Sequence, residues 1–213
     1  LYSKENCDAY IDALLQEIHM VGSQQEDKKQ VTSLYFGGGT PVLAVDRLGE
    51  IIATIEEHFI ITEGIGLELH PRNVNVEMLT KLKTAGITKI SIGIQSFQEK
   101  YQSILGRDVV DMEQMAAALA QVEFETMSMD FIFALPNQTY LDLKKDIDLA
   151  FSHGANHVAI YPFIDFTFTS SKVKVMEKKE KRKLLDAITK YCMEQGYHRS
   201  SIWTFSSEKQ AKY

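Results

Sequence analysis

Apolar positions along the chain follow two spacings, which predict strands and helices in alternation. Short apolar runs bounded by glycine, proline or polar residues predict buried strands. Apolar residues at intervals of three and four predict helices with one face on a core. The predicted strands span residues 31–36, 65–69, 89–94, 125–134 and 157–161, and residues 198–205 are predicted to be extended. The predicted helices span residues 6–20, 42–59, 75–84, 98–105, 111–121, 141–151 and 177–195.

The alternation of strand and helix indicates parallel strands joined by right-handed helical crossovers, in an α/β sheet or a barrel. The sequence shows no short-period repeat and no interdomain linker. Residues 165–174 depart from the pattern, because a run of phenylalanine, threonine and serine leads straight into a charged helix. We interpret this segment as a mobile loop or as a place where residues are missing.

All four prolines follow the ends of predicted strands. In parallel α/β folds ligands bind at the carboxyl ends of the strands. Each polar residue at this edge has a structural alternative: a carboxylate can pair with a lysine, a histidine before proline can serve a turn, and an arginine can bind helix carbonyls. Several polar groups on one edge nevertheless favour a binding site. The candidates are Thr40, Glu68, His70, Gln95, Arg107 and Asp130.

The centre of this edge is the stretch Leu-Tyr-Phe-Gly-Gly-Gly-Thr-Pro at residues 34–41. It predicts a short strand that ends in a glycine turn, whose bare backbone a ligand can approach closely. Pro41 suits the first turn of the following helix. The stretch lacks the Gly-Lys-Ser/Thr of a nucleotide P-loop and the spacing of GxGxxG. The alternative is a flexible strand-to-helix turn without a ligand.

Composition and charge narrow the functional classes. The 213 residues, 45% of them hydrophobic, suit one sizeable globular domain. A net charge of -6 and a pI of about 5.5 give no support to a nucleic-acid or anionic-membrane partner. No targeting peptide is recognisable, and the apolar runs are too short to span a bilayer. The two cysteines, Cys7 and Cys192, lie far apart, which favours a cytoplasmic location.

Five motifs resemble those of radical S-adenosylmethionine (SAM) enzymes and, more narrowly, of the oxygen-independent coproporphyrinogen III oxidase family. They are Tyr-Phe-Gly-Gly-Gly-Thr-Pro at 35–41, Leu-Glu-Leu-His-Pro-Arg at 67–72, Ile-Ser-Ile-Gly-Ile-Gln-Ser-Phe at 90–97, Leu-Gly-Arg at 105–107 and Met-Asp-Phe-Ile-Phe-Ala-Leu-Pro-Asn-Gln-Thr at 129–139. The resemblance implies a partial (β/α)6 TIM-like barrel of parallel strands over residues 1–196. Residues 197–213 are then the start of a C-terminal extension.

The resemblance also implies two cofactors, a [4Fe–4S] cluster and SAM. In the family a CxxxCxxC loop before the first helix holds the cluster. That motif is absent from these 213 residues and is expected upstream of Leu1, so Cys7 is not taken as a ligand. One electron from the cluster cleaves SAM to methionine and a 5′-deoxyadenosyl radical, which abstracts a substrate hydrogen. No residue stands out as a general acid or base, which agrees with radical chemistry.

Matching positions suggest which residues contact SAM. The glycine turn, Gly38, Gly39 and Thr40, is expected to contact the methionyl end of SAM. Glu68 is expected to bind the ammonium and Arg107 the carboxylate. Gln95 and Asp130 are expected to bind the ribose hydroxyls, and Ile164 is expected to lie against the adenine.

Two functions stay open on the sequence. One is a radical SAM oxidoreductase that acts on a porphyrin or haem-like tetrapyrrole and takes electrons from a donor such as flavodoxin or ferredoxin. The other is a non-catalytic haem-binding or haem-trafficking relative with the same barrel.

Overall fold

The computed structural model describes residues 3–107, 109, 111–164 and 175–208. The segment 165–174 lies outside the described residues. The helices are α1 Lys4–Gly22, α2 Val45–His58, α3 Val76–Thr84, α4 Glu99–Ile104, α5 Met112–Leu119, α6 Tyr140–Ser152 and α7 Lys178–Glu194. The strands are β1 Lys29–Val31, β2 Leu34–Phe36, β3 Phe59–Ile61, β4 Ile65–Leu69, β5 Lys89–Gln95, β6 Thr126–Phe133, β7 His157–Pro162, β8 His198–Arg199 and β9 Thr204–Ser206.

Seven strands form the central sheet, in the order β2-β4-β5-β6-β7-β9-β8. The first five are parallel and follow the chain order, which confirms the α/β architecture predicted from the alternation. β9 pairs with β7, and β8 with β9, both in the antiparallel direction. Residues 198–199 and 204–206 therefore belong to the same sheet, while the predicted boundary after residue 196 stays a prediction. Among the described helices, none has the length and apolar character needed to cross a bilayer.

The strand predicted at residues 31–36 is two strands, which corrects the sequence interpretation. β1 pairs with β3 in a separate two-stranded sheet, whereas β2 pairs with β4. The chain changes partner because Gly64, at φ +100, turns the segment between β3 and β4, and its carbonyl then accepts the amide of Leu34 at 3.3 Å. β3 was not predicted from sequence, where the predicted helix ends at Phe59 and residues 60–61 are assigned to no element. Phe59 instead leaves the helical region at φ -131.

Most helix ends agree with the sequence signals. Pro41 begins a 3₁₀ turn, Pro41–Ala44, which precedes α2 and shortens the helix predicted at residues 42–59. Gly86 follows α3 at φ +100 and donates to the carbonyl of Lys83, as expected for a glycine past a helix end. Thr139 starts α6 with a capping box that includes Asp142. Pro41 and Thr139 follow β2 and β6 at the carboxyl edge of the sheet, whereas Gly86 precedes β5 at the amino edge.

The two faces of the central sheet differ in polarity, because side chains alternate along each strand. The outer face packs against the helices and contains a row of apolar residues that are at most 1% exposed: Leu69, Ile92, Met129, Val158 and Phe205. The next row lies on the opposite face, here called the inner face, and is polar: Glu68, Ser91, Ser128, His157 and Ser206. Polar side chains in one row of a sheet whose strands are otherwise largely buried and apolar indicate a binding site on the inner face rather than a hydrophobic core.

Candidate functional site

The glycine turn after β2 brings bare backbone to the inner face. Gly38 and Gly39 have φ of +73° and +53°, a region that disfavours side chains. A Cβ added at either glycine would meet no heavy atom within 4 Å, so the space beside the turn is open. The amide of Gly38 donates to Oε2 of Glu68 at 3.2 Å. The turn and the β4 carboxylate therefore form one wall of the site.

Arg107 provides the positive charge near this carboxylate. Its Nη1 donates to the carbonyl of Gly93 on β5 at 3.1 Å. Burial lowers the pKa of the Arg107 guanidinium, and the nearby carboxylate of Glu68 acts in the opposite direction. Glu68 lies on β4 and Arg107 follows α4, so the fold brings together two charges that the motifs place 39 positions apart.

Gln95 ends β5 in a conformation that costs free energy. Its φ is +69°, unusual for a residue with a side chain, and the β5–β6 register shifts between Ile92 and Gln95. The bulge turns the amide back over Gly93, where an added Cβ would lie 3.0 Å from Nε2 of Gln95. Both side chains thus contact Gly93: the amide of Gln95 lies over its Cα, where another residue would have a side chain, and Arg107 binds its carbonyl.

The connection that carries Gln95 is held from behind by Asp146 of α6, which is 0% exposed. Its carboxylate accepts from Ser96 Oγ at 2.7 Å, from the amide of Phe97 at 3.1 Å and from Gln98 Nε2 at 3.3 Å. Burial raises the pKa of Asp146, and these hydrogen bonds oppose the rise. The network lies on the helix side of the sheet, so Asp146 positions the turn and does not face the site.

Asp130 is the second carboxylate of the inner face. It accepts from Ser91 Oγ at 2.6 Å and from Ser128 Oγ at 3.0 Å. Burial raises the pKa of Asp130, the two hydroxyls oppose that rise, and Glu68 adds to it. Glu68 and Asp130 share one face, because Glu68 is in register with Ser91, Ser91 with Ser128, and Asp130 is two residues further along β6.

His157 extends this chain of hydrogen bonds at the buried end. Its Nδ1 lies 2.9 Å from Ser128 Oγ. Since Ser128 donates to Asp130, its oxygen is left to accept from the imidazole. Burial lowers the pKa of His157 to about 4, so the ring is neutral at pH 7. Ser91, Ser128 and His157 were not predicted from sequence, although period-two alternation along β6 would have placed Ser128 on the face of Asp130.

Two further groups lie at the edge of the charged cluster. Tyr161, 48% exposed, has a raised pKa because of burial first and then the carboxylates of Asp130 and Glu68. His70 accepts the amide of Arg72 through Nδ1 at 3.2 Å and starts the turn Pro71–Asn73. Burial and then Arg107 lower the pKa of His70. His70 therefore serves the turn, the structural alternative considered from sequence, while lying close enough to Arg107 to feel its charge.

Two residues predicted to contact SAM, Thr40 and Ile164, form no hydrogen bond with the charged side chains in the part of the chain that the structure describes. Thr40 makes no side-chain cap for the turn that follows it, and it lines a cleft of about 420 Å³ between α1 and α2. Ile164 lies two residues beyond β7 and is 59% exposed. The structure thus groups Gly38, Glu68, Gln95, Arg107 and Asp130 in space, and the roles of all the predicted residues toward SAM stay predictions.

The sequence of this chain matches the family model of the radical SAM superfamily over residues 8–150. This range includes Gly38, Glu68, Gln95, Arg107 and Asp130. The chain belongs to the radical SAM superfamily. A haem chaperone, HemW of Synechocystis, is 30% identical over 160 residues, covering 73% of this chain and 38% of that protein. An oxygen-independent coproporphyrinogen III oxidase of Synechocystis is 25% identical over 205 residues, covering 91% of this chain and 44% of that protein.

The same fold is found among solved radical SAM structures. Coproporphyrinogen III oxidase (HemN) of Escherichia coli, described as a radical SAM enzyme, superimposes with a TM-score of 0.81 at 23% identity. The match covers 99% of this chain and 51% of that enzyme. The chain therefore spans about half the length of the relatives it matches, and it has the TIM-barrel-like radical SAM fold.

Proposed function

We propose that the inner face binds SAM. The observation that carries this proposal is the grouping of two carboxylates, Glu68 and Asp130, around one guanidinium, Arg107, beside open glycine backbone. SAM carries an ammonium, a sulfonium and a carboxylate. Two carboxylates and one guanidinium carry the opposite charges to that set. A cation bound nearby would favour the ionised form of Asp130, which burial disfavours.

Each group of SAM has a partner of suitable chemistry. Glu68 suits the ammonium and Arg107 the carboxylate, as charge-assisted hydrogen bonds. Gln95 and Asp130 suit the ribose hydroxyls, because an amide and an ionised carboxylate accept from them. The turn Gly38–Thr40 suits the methionyl end, and Ile164 suits the adenine. The serines under Asp130 fix the direction of its oxygens before SAM arrives.

A [4Fe–4S] cluster would supply the electron that cleaves bound SAM. These 213 residues contain two cysteines, fewer than the three of a CxxxCxxC loop. Cys192 is in the core at 0% exposure, where burial raises its pKa to about 12, and Cys7 is on α1. The cluster ligands are therefore expected from residues outside this sequence. The contribution of this chain is to hold SAM and to shape the cavity around it.

For the whole protein we favour a radical SAM enzyme acting on a porphyrin or haem-like tetrapyrrole in the cytoplasm, with flavodoxin or ferredoxin as electron donor. The similarity to coproporphyrinogen III oxidases supports that choice. The similarity to haem chaperones supports the second candidate, a haem-binding protein with the same barrel. In both, the inner face holds SAM, and the difference lies in what happens to the tetrapyrrole.

The test uses full-length protein with a reconstituted cluster, a reductant, SAM and either coproporphyrinogen III or haem. An enzyme forms 5′-deoxyadenosine and converts the porphyrin. A haem chaperone binds haem in a fixed ratio and leaves it unchanged. Neither product formation nor tetrapyrrole binding, in protein with an intact cluster, would contradict both candidates.

A further inference from the structure

Two histidines and a glutamate meet where the ends of α1 and α2 lie side by side, away from the inner face. Nδ1 of His19 lies 3.1 Å from Nε2 of His58 and 3.8 Å from Oε2 of Glu57. All three ligand atoms lie within 4.8 Å of one another. We propose that His19, Glu57 and His58 form a binding site for a divalent transition metal ion such as Zn²⁺.

The distances fit a tetrahedral ion. With metal–nitrogen bonds of about 2.05 Å, two ligand atoms of a tetrahedron are roughly 3.3 Å apart. The two imidazole nitrogens are already within a few tenths of an ångström of that separation. Glu57 needs to approach more closely, and its side chain is 61% exposed, so that surrounding residues leave room for this shift. Two imidazoles and a carboxylate with a solvent-accessible fourth position form a ligand set that zinc accepts.

The electrostatics of the helix ends also favour a cation. Arg47 near the start of α2 binds Asp12 of α1 at 2.7 Å, and His58 at the end of α2 meets His19, which lies further along α1 in the same direction. The two helices are therefore parallel, and their carboxyl ends, with partial negative charge, lie together. The carboxyl end of α2 already binds one cationic group, because the ammonium of Lys28 donates to the carbonyl of Glu56 at 2.7 Å.

The position of His58 is set in advance by a glycine. Gly22, the last residue of α1, is buried, and a Cβ added to it would lie 2.1 Å from Cγ of His58. The imidazole therefore packs directly on the backbone of α1, edge-on to the ring of His19 at 5.4 Å between centroids. A preorganised ring loses little freedom when it binds an ion.

This site is separate from the proposed SAM site. His58 immediately precedes the amino end of β3, whereas the charged cluster lies on the inner face of the central sheet, with Glu68 inside β4 and Asp130 inside β6. A bound ion would link α1 to α2 at their carboxyl ends. The inference does not depend on the proposed function.

The test is a zinc titration of this chain, competing with a metal-binding dye. We expect one ion per chain, and an affinity at least about tenfold weaker for His19→Ala and for His58→Ala. Glu57→Gln weakens binding, whereas its matched neighbour Glu56→Gln and the distant His198→Ala do not. Gly22→Ala keeps every ligand, displaces the His58 ring and also weakens binding, while circular dichroism shows an unchanged fold.

Cobalt distinguishes this site from one built on a thiol. The absorption spectrum of bound Co²⁺ should show tetrahedral d–d bands without a thiolate charge-transfer band, and it should survive Cys7→Ser. No zinc binding, or binding that is equal in His19→Ala, His58→Ala and wild type, overturns the proposal. Binding that is lost in Cys7→Ser overturns it as well.

Discussion

Asp146 supports the turn that carries Gln95, and its removal has a calculable cost. Replacing Asp146 by alanine leaves the hydroxyl of Ser96 and the amide of Phe97 without their acceptor, whereas Gln98 Nε2 keeps the carbonyl of Asp142 at 2.9 Å. Each buried donor left unpaired costs about 1–3 kcal/mol. The variant also removes a carboxylate whose pKa burial has raised, which offsets part of that cost. We expect a stability decrease of about 3 kcal/mol.

Urea unfolding followed by fluorescence of Trp203 measures this decrease. A domain of this kind has about 5–15 kcal/mol of stability, so Asp146→Ala should still fold and show a lower midpoint. Ser96→Ala removes one of the bonds and should cost about 1 kcal/mol, with non-additive behaviour in the double variant. Asp186→Ala, an exposed control on α7, should change stability by less than about 0.5 kcal/mol. An Asp146→Ala variant as stable as this control would refute the reasoning.

Two other substitutions test the inner face. The raised pKa of Asp130 means that the folded state holds the carboxyl proton more tightly than the unfolded state does. The stability of the wild type should therefore fall relative to that of Asp130→Asn as the pH rises from about 4. Urea unfolding at several pH values measures this difference, and parallel pH profiles of the two proteins would contradict it. Gly93→Ala should displace the Gln95 amide and weaken SAM binding with the fold intact, whereas Gly49→Ala, which meets nothing within 4 Å, should stabilise α2 by about 0.5–1 kcal/mol without changing SAM affinity. Equal SAM affinity in both alanine variants would contradict the role given to Gly93.

Sequence periodicity was sufficient for four of the five parallel strands of the central sheet, β4, β5, β6 and β7, and for most helix ends. Those features depend on local alternation, on caps such as Thr139 and on Gly86, all of which act within a few residues. It failed at residues 31–36, where the chain changes partner strands. A run of six residues does not show that its two halves pair with different strands, because that choice depends on the turn at Gly64.

The charged residues of the site were found from sequence, and their supports were not. Glu68 and Asp130 stand out as carboxylates inside apolar runs, and Arg107 follows the glycine that closes a short helix. Ser91 and Asp146 are ordinary in sequence, and their importance comes from hydrogen bonds to residues 39 and 50 positions away, Asp130 and Ser96. Such long-range pairs require the register of the sheet and the packing of α6, which are properties of the assembled fold.

The affinity of the full-length, cluster-loaded protein for SAM tests the central claim most directly. We expect Asp130→Ala and Gln95→Ala each to weaken binding by about 1–3 kcal/mol, or roughly 5–150-fold, because each removes a polar interaction with the ligand. Arg107→Ala should cost more, because it leaves a carboxylate without its charged partner. Glu77→Gln, an exposed control on α3, should bind as the wild type does. Unchanged affinity in all three site variants, with folds and clusters intact, would show that SAM does not bind on the inner face.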